Sequence, residues 1–352
     1  MLEYLSDINQ SLKTISEKDV KYINIYKTEG ILYGAPNWDY NKSFSKFTPR
    51  IDAEMNSLTD KEFRTYIKLG KNTSGCFLRF RTDSNIIIIK AHVRRKYDFG
   101  RLTLNNSSGF DVYEVDDEGN YYHKKIIACR TGENIFADQI IHNKDREVHI
   151  YLPASNEIEA LYIGAKKRIR CSESVKEPPI IFYGNSITQG GSASRSGNTF
   201  CNIISRRLDN EIYNLSVSMC CKGFGSVAKY IGKFNARAIV IDFTRNADNV
   251  NYLEMRYQKF YDILREYHKD TKIILMDTSN YNDDIHYNEY NQVVYETYNK
   301  SIEMGHNTYL LKQRDLFNED EYDLATVDGI HYTDYGMYKI ADAICELIVA
   351  DE

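Results

Sequence analysis

The chain has 352 residues, with 45 Lys and Arg against 50 Asp and Glu for a formal net charge of -5, and at roughly 100 to 200 residues per domain this predicts two domains. A composition of 42% hydrophobic, 13% aromatic and 27% charged residues belongs to a folded globular protein and excludes a disordered or fibrous one. The mild acidity argues against a broad nucleic-acid-binding surface. No stretch approaches the roughly 20 apolar residues that span a bilayer, so neither nucleic acid nor membrane is an expected partner.

The start, Met1 to Gln10, carries charges where a signal peptide needs an apolar run, which predicts a cytoplasmic protein. The first half then reads as β. From Gly75 to His92 the run GCFLRFRTDSNIIIIKAH sets Phe77, Arg79 and Arg81 opposite apolar residues and continues into Ile86 to Ile89, predicting two strands joined at Thr82 to Asn85. Further strands are predicted over Phe110 to Val115, Tyr121 to Ala128, Glu147 to Leu152 and Ile158 to Ile163, with turns at Asp117 to Asn120, Asn143 to Asp145 and Pro153 to Asn156. Short strands with such turns predict a β-sandwich of the jelly-roll type. Polar residues and the pair Pro178, Pro179 interrupt both periodicities within Cys171 to Pro179, so domains over 1–172 and 177–352 are expected.

The second half alternates strand-like runs (Ile180 to Tyr183, Ile212 to Val217, Ala238 to Phe243, Lys272 to Asp277, Thr308 to Leu311) with helical patterns (Asn198 to Leu208, Gly225 to Phe234, Tyr252 to His268, Glu289 to Met304, Tyr335 to Val349). Alternation of this kind implies right-handed crossovers and an α/β domain with a mostly parallel five-stranded sheet between helix layers. Ligands bind beyond the carboxyl ends of such strands, so the informative residues are those that follow strands.

Three such places carry chemistry. Ser186 lies in Gly184-Asn185-Ser186-Ile187-Thr188-Gln189-Gly190, where a strand turns; a serine there is either exposed for attack or a plain turn residue. Thr188 stands where the nucleophile-elbow pattern G-x-S-x-G has its second glycine, so that pattern is not met. Asp328 and His331, three apart before the last helix, suit a carboxylate that orients an imidazole base, or a surface pair beside a cap. Asn246 follows the third strand, where its amide can donate to an oxyanion or make an Asx-turn. Seven scattered cysteines (Cys76, Cys129, Cys171, Cys201, Cys220, Cys221, Cys345) contain no C-x-x-C pair and read as reduced, mostly buried thiols, so no metal site is expected.

On these residues the sequence resembles the SGNH hydrolases, also called the GDSL esterase and lipase family. Its nucleophile motif reads like GNSITQG and its terminal block D-x-x-H. The resemblance implies Ser186 as nucleophile, Asp328 and His331 as the rest of a triad, and Asn246 as oxyanion donor. Phe77 to Ser84 and Gly109-Phe110-Asp111-Val112-Tyr113 look like the N-terminal β-sandwich of one subgroup, and the implied domain fold is a three-layer, flavodoxin-like one. Related two-domain members are esterases, which implies a serine esterase acting on small, acetyl-type esters of a carbohydrate or similar small molecule, with no cofactor. Two departures stand out. Asn185 replaces the family's Asp before the nucleophile, and Met219 falls where a Gly completes the oxyanion hole, unless Gly223 is the counterpart. The implied hole is the Ser186 and Met219 N–H groups with the Asn246 amide; Asn185 and Arg245 are candidate substrate contacts.

Two other readings stay open. Gly223-Phe224-Gly225-Ser226-Val227-Ala228, with Asp242 beyond it, has the form of a dinucleotide fingerprint. A non-catalytic glycan-binding protein would use Trp38 and the 29 tyrosines to stack on sugars. Arg195, Arg206 and Arg207 are further cations to frame an anionic substrate, the last two more simply a solvated helix face. The small-residue loop Gly190 to Gly197 and the segment Tyr281 to Tyr290 are expected pocket walls, and the sequence is silent on oligomeric state.

Overall fold

The structure is a computed structural model that describes residues 18–36, 44–46, 61–94, 100–128, 135–140, 144–173, 175, 177–278 and 284–350. Trp38, Cys129 and Tyr281 lie outside the described residues. The chain divides into two compact units. One comprises Met1–Lys46, Lys71–Ser174 and Arg195–Gly197, the other Phe47–Gly70, Val175–Ser194 and Asn198–Glu352. This differs from a single cut near residue 172 in two places, because Phe47–Gly70 belongs with the second unit and Arg195–Gly197 with the first.

The first unit is antiparallel β. Its strands are β1 (Lys21–Asn24), β2 (Leu32–Tyr33), β3 (Phe77–Thr82), β4 (Ile87–Val93), β5 (Gly109–Val115), β6 (Tyr121–Ala128), β7 (Ile135–Ile140), β8 (Arg146–Tyr151), β9 (Ile158–Ala165) and β10 (Arg170–Cys171). One sheet has the order β1-β9-β4-β7, the other β10-β3-β8-β5-β6 with β2 paired to β3. Successive strands from β3 onward change sheets except at the β5–β6 hairpin, which is the double Greek-key order of a jelly roll. The sequence run around Thr82 to Asn85 therefore crosses between sheets. Alternation along β3 and β4 sends Leu78, Phe80, Ile87 and Ile89 into one core with Val112, Val148, Ile150 and Ile163.

The opposite face of β3, expected to point outward, is also covered. Phe77 stacks on Tyr33 and His149, and Arg79 is buried against Glu147 at 2.9 Å. On β5, Asp111 is fully buried, its Oδ2 accepting from Arg195 Nη1 at 2.6 Å and from the Gly197 N–H at 2.9 Å, while Tyr113 OH also contacts Arg195. Arg195 is thus spent on Asp111 and is not a free cation for substrate, a correction to the expectation above.

The second unit contains β11 (Ile180–Gly184), β12 (Ile212–Asn214), β13 (Ala238–Asp242), β14 (Lys272–Met276) and β15 (Thr308–Leu311), all parallel, in the order β12-β11-β13-β14-β15. Side chains alternate between two cores. Ile181, Tyr183, Ile239, Ile241, Ile273 and Leu275 face the helices Gly225–Ile231, Tyr257–Tyr267 and Asp284–Glu303; Ile180, Phe182, Val240, Ile274 and Met276 face Phe200–Leu208 and Asp334–Val349. Tyr66, from Lys61–Leu69, joins the first of these cores and donates its O–H to the Leu215 carbonyl at 2.9 Å, which explains why that early segment belongs here.

The chain leaves β11 toward β12 on one side and then returns to build β13 on the other. Strand order reverses at β11, so the crevice at its carboxyl end is the topological switch point. Among the described residues no helix is long and apolar enough to cross a membrane.

Candidate active site

Ser186 follows β11 directly. Gly184 is needed there because a Cβ would come within 2.3 Å of Thr188 Oγ1 and 2.9 Å of the Asp242 carbonyl, so the strand can turn this tightly only without a side chain. Asn185 then caps the short helix Ser186–Gln189, its Oδ1 accepting from the Ile187 N–H at 2.7 Å, and Gly190 ends it at φ 114°. Asn185 is 1% exposed. It holds the Ser186 turn from beneath through this cap bond.

His331 reaches the same point from the far end of the sequence. Its Nε2 is 2.9 Å from Ser186 Oγ, and its Nδ1 is 2.8 Å from Asp328 Oδ2. The Asp328 Oδ1 accepts the backbone N–H groups of Ile330 at 3.1 Å and His331 at 2.7 Å. A bridge between Thr326 and Tyr332 closes this loop, with Gly329 at φ 76° at its tip. The carboxylate thus makes its own turn and addresses the imidazole with its second oxygen. Partial burial works to raise the Asp328 pKa, but the hydrogen bonds from His331 and Ile330 outweigh it and hold the group below the usual carboxylate value. With Nδ1–H committed to Asp328, Nε2 is left to accept the Ser186 proton.

Asn246 ends the 3-10 turn Thr244–Asn246 after β13, and its Oδ1 accepts the Met219 N–H at 3.1 Å. Nδ2 has only a long 3.5 Å contact, to the Val217 carbonyl, and is the end left to donate. Met219 has φ 60° and is 75% exposed, so it does adopt the left-handed backbone that a Gly would take at no steric cost. Its N–H orients the Asn246 amide in this structure. The loop bearing Met219 is tied down twice more: Gln189 Oε1 accepts the Ser218 N–H at 2.7 Å, and Lys222 Nζ contacts both Asp248 oxygens at 2.8 Å.

The remaining candidates divide. Arg245 is half-buried beside Asn246, close enough to Asp242 for its charge to favour that carboxylate. Arg207 pairs with Asp342 at 2.6 Å on the helix surface. Gly223, at φ 71°, donates its N–H to Tyr183 OH at 3.1 Å, and Asp242 is fully buried against Thr188 at 2.5 Å. A dinucleotide site needs glycine N–H groups turned to a pyrophosphate and an acidic side chain open to a ribose, so the fingerprint reading is overturned. Among the described residues no group of His, Cys, Asp and Glu is arranged to hold a metal ion.

The family model of GDSL-like lipases and acylhydrolases matches residues 177–349, and that of the N-terminus of SGNH-hydrolase-type esterases matches residues 21–170. No curated protein matches the sequence. Among solved structures, a candidate GDSL-like lipase from Bacteroides ovatus is 25% identical with a TM-score of 0.79, covering 94% of this chain and 98% of that one. The salicylyl-acyltransferase SsfX3 of a tetracycline biosynthetic pathway is 16% identical with a TM-score of 0.76, covering 95% and 98%. An active-site mutant of a family two carbohydrate esterase from Clostridium thermocellum is 11% identical with a TM-score of 0.60, covering 80% and 93%. With both of its halves matched by models of one kind of enzyme, this chain belongs to the GDSL-like lipase and acylhydrolase family, the SGNH hydrolases, in the subgroup with an N-terminal β-sandwich.

Proposed function

We propose that the protein is a serine esterase that cleaves small esters, acetyl esters first, of a carbohydrate or similar small alcohol. The observation that carries this reading is the contact series Ser186 Oγ to His331 Nε2 at 2.9 Å and His331 Nδ1 to Asp328 Oδ2 at 2.8 Å. A serine hydroxyl is a weak nucleophile until a base takes its proton, and that base works only in the right tautomer. In this reading His331 accepts the Ser186 proton as Oγ attacks the ester carbonyl. The imidazolium is stabilised by Asp328 and returns the proton to the leaving alcohol, and the same pair then activates water to release the acid. Asn246 Nδ2 and the Ser186 N–H donate to the oxyanion, with Met219 N–H holding the Asn246 amide and available to share. Arg245, next to Asn246, borders the polar side of the substrate. The carbohydrate part of the proposal follows the esterase from Clostridium thermocellum, whose fold this chain shares.

The test is hydrolysis of p-nitrophenyl acetate, butyrate and octanoate by wild type, Ser186→Ala and His331→Ala. Activity that falls with acyl length and disappears in both variants is the expected result. Turnover that survives Ser186→Ala overturns Ser186 as the nucleophile, and no turnover of any ester or acetylated sugar sinks the proposal and leaves the glycan-binding reading.

A further inference from the structure

Behind Ser186 and His331 the second unit carries a run of buried polar side chains that acyl transfer does not itself consume. Asp242 ends β13 fully buried; its Oδ2 accepts from Thr188 Oγ1 at 2.5 Å, and its Oδ1 lies 3.5 Å from Gln313 Nε2. Gln313 is 1% exposed. Its Nε2 also donates to the Asp277 carbonyl, its backbone N–H donates to Asp277 Oδ1 at 2.8 Å, and its Oε1 accepts from Tyr332 OH at 2.9 Å. Thr188 is on the helix that Ser186 begins, and Tyr332 is the residue after His331.

Burying a polar group without a partner is costly, and an apolar core would fill the same space without that risk. What the polar set adds is direction, since hydrogen bonds fix orientation where apolar contacts tolerate sliding. His331 needs this. Its carboxylate partner belongs to the same five-residue excursion, with a side chain 34% exposed, so a buried tie to the rest of the domain constrains the loop further. Tyr332 supplies such a tie: its ring stacks on Phe317 at 5.7 Å, its backbone bridges Thr326, and its hydroxyl ends on Gln313.

We propose that Gln313 is a positioning residue of the site, seating Tyr332 and thereby the His331 imidazole, and tying that loop through Asp242 and Thr188 to the helix that carries Ser186. This rests on the reading of Ser186 and His331 as nucleophile and base. Gln313→Met keeps length and volume while removing both polar ends. Tyr332→Phe removes one oxygen and keeps the stacking on Phe317, so it remains readable if Gln313→Met does not fold.

Each variant is expected to lower kcat for p-nitrophenyl acetate about tenfold with KM within about twofold, the signature of lost alignment and not of lost binding. The double variant is expected to lose no more than the worse single one, because each single variant already breaks the contact they share. Unchanged kcat in folded variants overturns the proposal, and so does a double variant whose loss is the product of the two. A second readout does not need turnover: the low-field proton resonance of the His331 Nδ1–H, assigned by its absence in His331→Ala. If wild type cleaves no ester, the esterase reading fails by itself; the positioning role then stands if that resonance moves or broadens in both variants and falls if it is unchanged.

Discussion

Met219 offers a clean test of the backbone reasoning because its side chain buries little. It stands at φ 60°, 75% exposed, and what ties it to the site is its N–H on Asn246 Oδ1 at 3.1 Å. A side chain in the left-handed region costs roughly 1–2 kcal/mol. Met219→Gly removes that cost and loses about 0.5–1 kcal/mol through the greater freedom of glycine in the unfolded chain. The N–H is kept and little packing is lost, so the net runs from about zero to a gain of about 1.5 kcal/mol, or a Tm higher by up to about 6 °C for a unit of this size. Met219→Val should move the other way, since a β-branched residue fits positive φ worst. Differential scanning calorimetry of the three proteins reads the effect. A Met219→Gly protein that melts more than about 2 °C below wild type would refute the account and show that the Met side chain itself holds the loop.

If Asn246 serves as the proposed oxyanion donor, Asn246→Ala should lower kcat by about 10²–10³ in ester assays, with little change in KM. Gly184→Ala forces a Cβ to 2.3 Å from Thr188 Oγ1; chemical denaturation should show a loss of about 1–3 kcal/mol or more, with kcat falling as the Ser186 turn is displaced. Asp242 gives a pH dependence. Burial lifts its carboxyl from 3.8 to about 7, Asp277 adding to the rise while Thr188, Arg245 and Asn185 oppose it. A pKa raised on folding means stability that is whole below about pH 4 and is lost as pH rises through about 7, on the order of 4 kcal/mol for this shift. Asp242→Asn should therefore flatten the stability profile between about pH 5 and 7; an unchanged slope in denaturant melts would show that Asp242 ionises normally.

The parts of the site legible in the sequence were the local ones. Ser186 and its flanking glycines, and Asp328 with His331, are each set by a few neighbouring residues whose turn chemistry can be read without tertiary information. Strand ends were equally legible, because β11, β13 and β14 are continuous apolar runs that stop at a polar residue: Asn185 after Gly184, Asp242, and Asp277. The helix expected over Tyr252 to His268 is in fact two, Val250–Glu254 and Tyr257–Tyr267, broken where Arg256 turns its guanidinium over Tyr252 and Phe224. Periodicity cannot register that break, since both pieces keep their apolar residues on the same side. Nor could it show that Tyr66 packs beside Tyr183, or that Arg79 and Phe77 on β3 are covered. In each case a partner far away in sequence decides which face is inside.

The division between legible and illegible follows the division of labour in the site. Ser186 and His331 are placed by short-range devices: a glycine that lets the strand turn, an asparagine cap, a carboxylate that folds its own loop. Their mutual alignment is a long-range matter, carried by Gln189 on Ser218, Met219 on Asn246, Lys222 on Asp248 and Gln313 on Tyr332. The first three join loops that follow different strands of the parallel sheet, and the fourth ties the His331 loop back to the turn that directly follows β15. A strand end fixes where a loop begins but leaves its tip free over several ångströms, and a hydrogen bond between tips removes that freedom at the point where the chemistry needs it. This explains why departures such as Asn185 and Met219 can be accommodated without loss of the arrangement: the first keeps a capping oxygen and the second keeps an N–H, and those are the atoms through which each residue acts.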